Sequence, residues 1–317
     1  MIDWNSLLGE ITSKSKEKIQ LSRSMADPEY SCSIFSVPKG CKKYSVLAVD
    51  GSQIYPDRHM PGGGCALINI GGIALNYGTA SNAKLFSVPE FIPNADGRVT
   101  PEIVDLMREE RELRFAFEKC ELIKHSDSLV LIDGSLSFSH LAGKNDKVRR
   151  YFLRRYIECL ESFYTHKILV AAYMSSPRTR DLCCKRQGFV DVDIVQNLLT
   201  KKAIRTEMFG VKNDVMSQFP EHLKTCFCYL NVGFEIVRIE FPEWVADSKE
   251  LVDQVCAICL DQAEKGRGYP VSLAEAHFQA VVRASDKKLF YRLLRQKGEA
   301  GDSFISHKMS KKLSLGV

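Results

Sequence analysis

The chain has 317 residues, 45% of them apolar and 26% charged, with a net charge of +5. That much apolar material buries one large core or two smaller ones, which excludes a disordered chain and a disulfide-stapled miniature scaffold. The mild charge excludes no partner by itself, but its distribution is uneven: Lys147 to Tyr156 is strongly basic with interleaved aromatics, and Lys308, Lys311 and Lys312 form a second basic cluster.

In chain order, residues from Asp3 to Met25 carry Leu7, Leu8, Ile11 and Ile19 at helical spacing and read as a helix packed outside the core or against a partner. Met1-Ile2-Asp3-Trp4 has no basic or apolar region of the secretory type, and no later apolar run approaches bilayer-spanning length. A soluble, cytoplasmic protein with no membrane contact is therefore expected. After a lead-in from Ser31 to Lys43, the run Ser45-Val46-Leu47-Ala48-Val49-Asp50-Gly51-Ser52 reads as a buried strand closed by Asp-Gly-Ser. Gly64 to Ile70 and Ile73 to Tyr77 read as second and third strands of a meander, with Gly71-Gly72 as the hairpin between them. Neither Gly62-Gly63-Gly64 nor Gly71-Gly72 is followed by Lys-Ser or Lys-Thr, so no nucleotide-binding loop is legible there.

Thr100-Pro101-Glu102 marks a helix start, with Thr as cap and Pro in the first turn, and the helix is expected to run to Lys124. Ser128-Leu129-Val130-Leu131-Ile132-Asp133-Gly134-Ser135 then repeats the strand with its Asp-Gly-Ser ending. A basic helix from Asp146 to Tyr164 and a fifth strand from Lys167 to Tyr173 follow. The order βββαβαβ is that of an α/β, ribonuclease H-like mixed sheet, in which the first and fourth strands are neighbours. Asp50 and Asp133 then lie side by side. Two converging carboxylates repel unless a cation neutralises them, and a divalent metal is the usual solution.

C-terminal elaborations follow: an irregular or helical stretch over 181–224, strands Cys226–Val232 and Glu235–Phe241 joined at Gly233, and helices Ala246–Glu264 and Ser272–Ala284. The chain reads as residues 1–43, a helix and lead-in, and one elaborated domain over 44–317 with 181–245 as an insertion or subdomain. Cys226-Phe227-Cys228 and Cys256-Ala257-Ile258-Cys259 invite a zinc reading, but neither has a spaced partner pair of the finger type.

A third acid is expected from Arg108-Glu109-Glu110-Arg111-Glu112. Helical geometry puts Glu110 nearest the stripe of Ile103, Met107, Leu113 and Phe117, and Glu112 on its flank. The plainer alternative makes all three glutamates surface partners of Arg108, Arg111 and Arg114. Later, Ser272 with Glu275 fits a capping box, and His277 shares a helical face with Leu273. That histidine is either a packed core residue or a ligand or proton-transfer group returned to the open sheet edge.

The Asp-Gly-Ser strands, Tyr173-Met174-Ser175-Ser176-Pro177-Arg178, Arg238-Ile239-Glu240-Phe241-Pro242-Glu243-Trp244 and Tyr269-Pro270…Leu273-Ala274-Glu275-Ala276-His277 together resemble the NurA nuclease domain, over about Ser45 to Lys312. The resemblance implies a dimeric deoxyribonuclease dependent on manganese, with magnesium as the alternative and two ions per site. It implies a 5′-end-processing exonuclease, with single-strand endonuclease activity as an accompaniment, working with the HerA-type hexameric ATPase translocase in double-strand break repair. Asp50 and Asp133 match the family's metal aspartates, Glu112 its helix acid, and Tyr269 and His277 its C-terminal tyrosine and histidine. The choice among Glu112, Glu110 and Glu109 follows the motif rather than the helical face. Arg149, Arg150 and Arg154 on the basic helix, with Arg178 and Arg180 after the fifth strand, are the expected DNA contacts. Two rival readings are a non-catalytic DNA-binding or assembly subunit of the same fold, and a serine hydrolase using Ser52 or Ser135 with His277. The second lacks the Gly-x-Ser-x-Gly elbow.

Overall fold

A single mixed sheet of ten strands organises the computed structural model, which describes residues 31–38, 43–57, 64–78, 81–94, 97–123, 127–182 and 189–296. The expected Asp3–Met25 helix, Gly62, Gly63 and the C-terminal lysines lie outside the described residues. The strands are β1 (Ile34–Ser36), β2 (Tyr44–Ile54), β3 (Ala66–Tyr77), β4 (Asn82–Ile92), β5 (Ser128–Asp133), β6 (Leu169–Met174), β7 (Ile204–Thr206), β8 (Phe209–Gly210), β9 (Thr225–Asn231) and β10 (Ile236–Pro242). The helices are α1 (Pro101–Glu118), α2 (Asp146–Thr165), α3 (Asp191–Val195), α4 (Glu243–Ala246), α5 (Lys249–Lys265), α6 (Val271–Ala280) and α7 (Ala284–Gln296). Across the sheet the order is β1-β7-β9-β10-β6-β5-β2-β3-β4, with β8 beside β9. Strands β2, β5 and β6 are mutually parallel and the other pairings are antiparallel.

The central strands are apolar because both of their faces are covered. In β5, Leu129 and Leu131 enter the core under α5 and α6, while Val130 and Ile132 enter the core under α1 and α2. The ribonuclease H-like order is present as β4-β3-β2-β5-β6, with the two Asp-Gly-Ser strands adjacent. Residues 181–245 supply β7 to β10 to this same sheet. Thr100 caps α1 by accepting the Ile103 N–H at 3.3 Å. Thr100→Ala is expected to lower stability by about 1 kcal/mol, measured from the urea midpoint.

Several local expectations are corrected. Gly71-Gly72 is not a hairpin: β3 runs straight through both, and the returning strand is β4. These glycines serve close approach, since a Cβ at Gly71 would meet the backbone of Gln279 and Ala280, and one at Gly72 would meet the Phe86 ring. The sequence hides β4 because it is an edge strand, largely exposed, with Pro89 inside it. The two Asp-Gly-Ser copies also differ. Strand β2 continues past Asp50 to Ile54, whereas β5 stops at Asp133 and Gly134 turns the chain with φ +106°. The expected 246–264 helix divides into α4 and α5 at Ser248, whose hydroxyl caps α5. Ser272 does not cap α6: the helix starts after Pro270, and the buried Ser272 N–H donates to Gln262 Oε1 at 3.1 Å. Cys228, Cys256 and Cys259 pack as thiols in the apolar core under α5.

Candidate active site

The register Val49↔Ile132 between parallel β2 and β5 carries Asp50 and Asp133 out of the core next to each other. Alternation along β2 turns Val49 toward α1 and α2, and Asp50 toward the α6 face. There the Asp50 carboxylate, 19% exposed, accepts the Gly51 N–H at 2.8 Å and the His277 Nδ1–H at 2.8 Å. His277 is 66% exposed although Leu273, one turn earlier, is buried. It is therefore not a packed core histidine; α6 returns it to the open sheet edge.

What seats α6 is polar as well as apolar. Asn69 on β3 donates to the Ala280 carbonyl at 2.8 Å and the Gln279 carbonyl at 3.2 Å, satisfying groups a helix end leaves open. Ser52, from the first Asp-Gly-Ser, accepts the Val282 N–H at 3.2 Å. The absent Cβ of Gly71 lets the helix end touch the strand.

The Tyr269 hydroxyl stands beside Asp133 and acts on its carboxyl. Burial raises the Asp133 carboxyl above the usual carboxylate range; Tyr269 counters this, the Asp50 charge adds to it, and His277 and the Gly134 N–H oppose it. The Tyr269 ring also stands edge-on to Tyr173, with centroids 5.8 Å apart, so it packs there while its hydroxyl end lies by the acid.

The three helix acids have separate fates. Glu110, the nearest to the apolar stripe, is buried and bound by Arg155 at 2.7 Å and Arg111 at 2.8 Å, away from the aspartates. Glu109 is taken by His140 at 2.9 Å and Tyr156 at 3.0 Å. Burial opposes its ionisation, but His140, Tyr156 and Arg108 outweigh that and hold it below the ordinary range. Glu112 faces β2, ion-paired with Arg108. Its Oε1 lies 2.5 Å from where a Cβ of Gly51 would stand, so this glycine makes room for the helix acid. Burial pushes Glu112 up to about 8; Arg108 pulls it down, while Asp50 and Glu109 add to the rise.

Thus Asp50, Asp133 and Glu112 each lean on a different protein partner: His277, Tyr269 and Arg108. Among the described residues no three His, Cys, Asp or Glu side chains form a ready-made metal cluster. The donor set, oxygen acids with one imidazole, nevertheless suits manganese or magnesium, and two acids raised by burial and by the Asp50 charge are relieved by a cation. Neither serine serves His277, which is engaged with Asp50; Ser52 holds α6 and Ser135 donates to Glu240.

The expected DNA-contact arginines stand apart from the acids. Arg149 is bonded to Asp146 at 2.8 Å, Arg150 is 77% exposed, and Arg154 is 82% exposed beside Glu158. Arg178 and Arg180 are exposed beyond β6. Sequence reasoning took Arg108 only for a surface partner, although its i,i+4 spacing to Glu112 was readable, and it overlooked the fully buried Glu240, a charge set inside an apolar strand.

The model of one protein family, the NurA domain, matches residues 44–282. No curated protein matches the sequence significantly. Among solved structures, the NurA nuclease from Sulfolobus solfataricus shares 16% identity and a TM-score of 0.63, over 94% of this chain and 97% of that one. A second NurA structure shares 12% identity and a TM-score of 0.53 over the whole of both chains. A NurA bound to dAMP and manganese shares 14% identity and a TM-score of 0.50, over 91% of this chain and 95% of that one. At these identities the likeness speaks to the fold.

Proposed function

This chain belongs to the NurA family, and from that premise we propose that it is a manganese-dependent deoxyribonuclease. The observation that carries the reading is the pair of carboxylates, Asp50 and Asp133, on adjacent parallel strands, with His277 bonded to the first and Tyr269 beside the second. Asp50, Asp133, Glu112 and His277 would hold two manganese ions, with magnesium as the alternative. A divalent cation there supplies the charge that makes water nucleophilic at neutral pH and neutralises charge building on the phosphate. Asp50 fixes the His277 ring through Nδ1, leaving Nε2 of a largely exposed imidazole to hold a cation or, where it does not, to pass a proton between the site and solvent. Tyr269 orients the Asp133 carboxylate. Arg178, Arg180, Arg149, Arg150 and Arg154 are the backbone contacts, whose loss would weaken binding and flatten its salt dependence.

The finer reading is a 5′-end-processing exonuclease, with single-strand endonuclease activity, acting in the cytoplasm as a homodimer with a HerA-type translocase in double-strand break repair. It is supported by family membership. The test is degradation of end-labelled single- and double-stranded linear DNA by purified protein, with manganese or a chelator, alone and with a translocase. Manganese-dependent loss of label supports the reading; DNA binding without cleavage favours the non-catalytic alternative.

Glu112 makes this site pH-dependent. Its folded pKa, about 8 against 4.5 for the free side chain, means the folded protein holds that proton more tightly than the unfolded chain. The group therefore contributes stability in acid that is lost as pH rises from 4.5 through about 8. A cation competing for the same carboxylate binds better over that rise. Manganese isotherms are expected to tighten between pH 6.5 and 8.5, while the Glu112 contribution to the metal-free melting temperature falls as pH rises toward 8.

A further inference from the structure

Two fully buried charges lie outside the site just described. Arg238 and Glu240 occupy neighbouring same-face positions on β10, at 1% and 0% exposure, where an unpaired charge would be very costly. They are paired, with Arg238 Nε donating to Glu240 Oε1 at 2.7 Å, and the guanidinium lies 3.6 Å over the Phe227 ring. Glu240 spends its other oxygen on the turn after Asp133. Oε2 accepts the Leu136 N–H at 2.7 Å and the Ser135 hydroxyl at 2.7 Å. Ser135 in turn accepts the Ser137 N–H at 3.0 Å. Arg238 reaches the other way to Asp181, directly after Arg180. The Asp181 N–H is itself received by the buried Asp191 at 2.9 Å.

We propose that Glu240 is a positioning residue for Asp133. It fixes the Asp133-Gly134-Ser135 turn from within the sheet, and Arg238 ties that turn to the segment carrying Arg178 and Arg180. The geometry of the turn makes this anchor necessary. Gly134 adopts φ +106° and a Cβ there would meet nothing within 4 Å, so packing begins only at the buried Leu136 and leaves the tip of the turn unsupported. Hydrogen bonds hold it: Gly134 N–H to the Tyr173 carbonyl at 3.1 Å, Thr225 Oγ1 to the Leu136 carbonyl at 2.9 Å, and the two to Glu240. Of these partners only Glu240 brings a charge to the turn, and charge-assisted bonds are the stronger kind. The serine of the second Asp-Gly-Ser thus acts through Glu240 as an anchor, with no nucleophilic role.

This inference rests on Asp133 being a metal ligand, so its test reads metal binding directly. Manganese binding to the full-length protein is measured by calorimetry without DNA, below the melting temperature of every variant. Glu240→Gln places an amide among three donors, and Ser135→Ala removes one of the bonds to Glu240. Each is expected to weaken manganese binding by roughly tenfold or more. Should Glu240→Gln fail to fold, Ser135→Ala decides, since it leaves the Arg238–Glu240 pair intact. Wild-type isotherms from a folded variant overturn the positioning role. No manganese binding by the wild-type protein overturns the metal reading and this inference with it.

Discussion

Replacing Asp50 or Asp133 by asparagine is expected to abolish manganese-dependent cleavage of linear DNA while leaving the fold intact. Each aspartate supplies an anionic oxygen that asparagine cannot, and a metal's stabilisation of several kcal/mol corresponds to a loss of about a thousandfold or more. The folding cost is small because the two acids raise each other's energy: Asp50 adds to the upward shift of Asp133, and that repulsion vanishes in either variant. Circular dichroism and melting temperature should therefore match or exceed those of the wild-type protein without metal. End-labelled DNA cleavage measures the effect. Near-wild-type rates from both variants would remove the aspartates from the chemistry.

Gly71→Ala should have the largest effect on stability. Its new Cβ would lie 2.6 Å from Ala280 Cα and closer still to the backbone of Gln279 and Ala280. Both partners are main chain, so no side chain can rotate away and α6 must back off β3. That movement pulls on the Asn69 bonds to the helix end and on the Ser52–Val282 bond, and it withdraws His277 from Asp50. A loss of about 3 kcal/mol is expected, at the upper end for overpacking, together with a marked fall in cleavage. Gly143→Ala is the matched control, with nothing within 4 Å of the added methyl and an unexceptional backbone. Equal urea midpoints for the two variants would refute this view of how α6 is seated.

The central strands were legible because buried parallel strands advertise themselves: Leu129 to Ile132 face cores on both sides and read as an unbroken apolar run. Strand β4 was not, since an exposed edge strand with Pro89 lacks that signature. The Gly71-Gly72 pair was misread because a glycine needed for close approach looks, in sequence, like one needed for a turn. Only the partner, residues 279–280 more than 200 positions later, distinguishes them. The same limit applied to the two Asp-Gly-Ser copies, identical in letters but extended in β2 and turned after β5. On α1, periodicity pointed to Glu110 because it assumes one buried face. The helix is packed on two, so Glu110 is buried against Arg155 of α2 while Glu112 is buried against β2. His277 was left between two roles because it shares a helical face with the buried Leu273 yet lies beside Asp50, where that face no longer predicts burial.

The central claim is that Asp50, Asp133, Glu112 and His277 form one metal site. Its most direct test is anomalous diffraction at the manganese edge from crystals of the full chain soaked with manganese. The account predicts density bonded to Asp50 and Asp133, with Glu112 released from Arg108. Manganese bound elsewhere, with both aspartates still held by His277 and Tyr269, would contradict it.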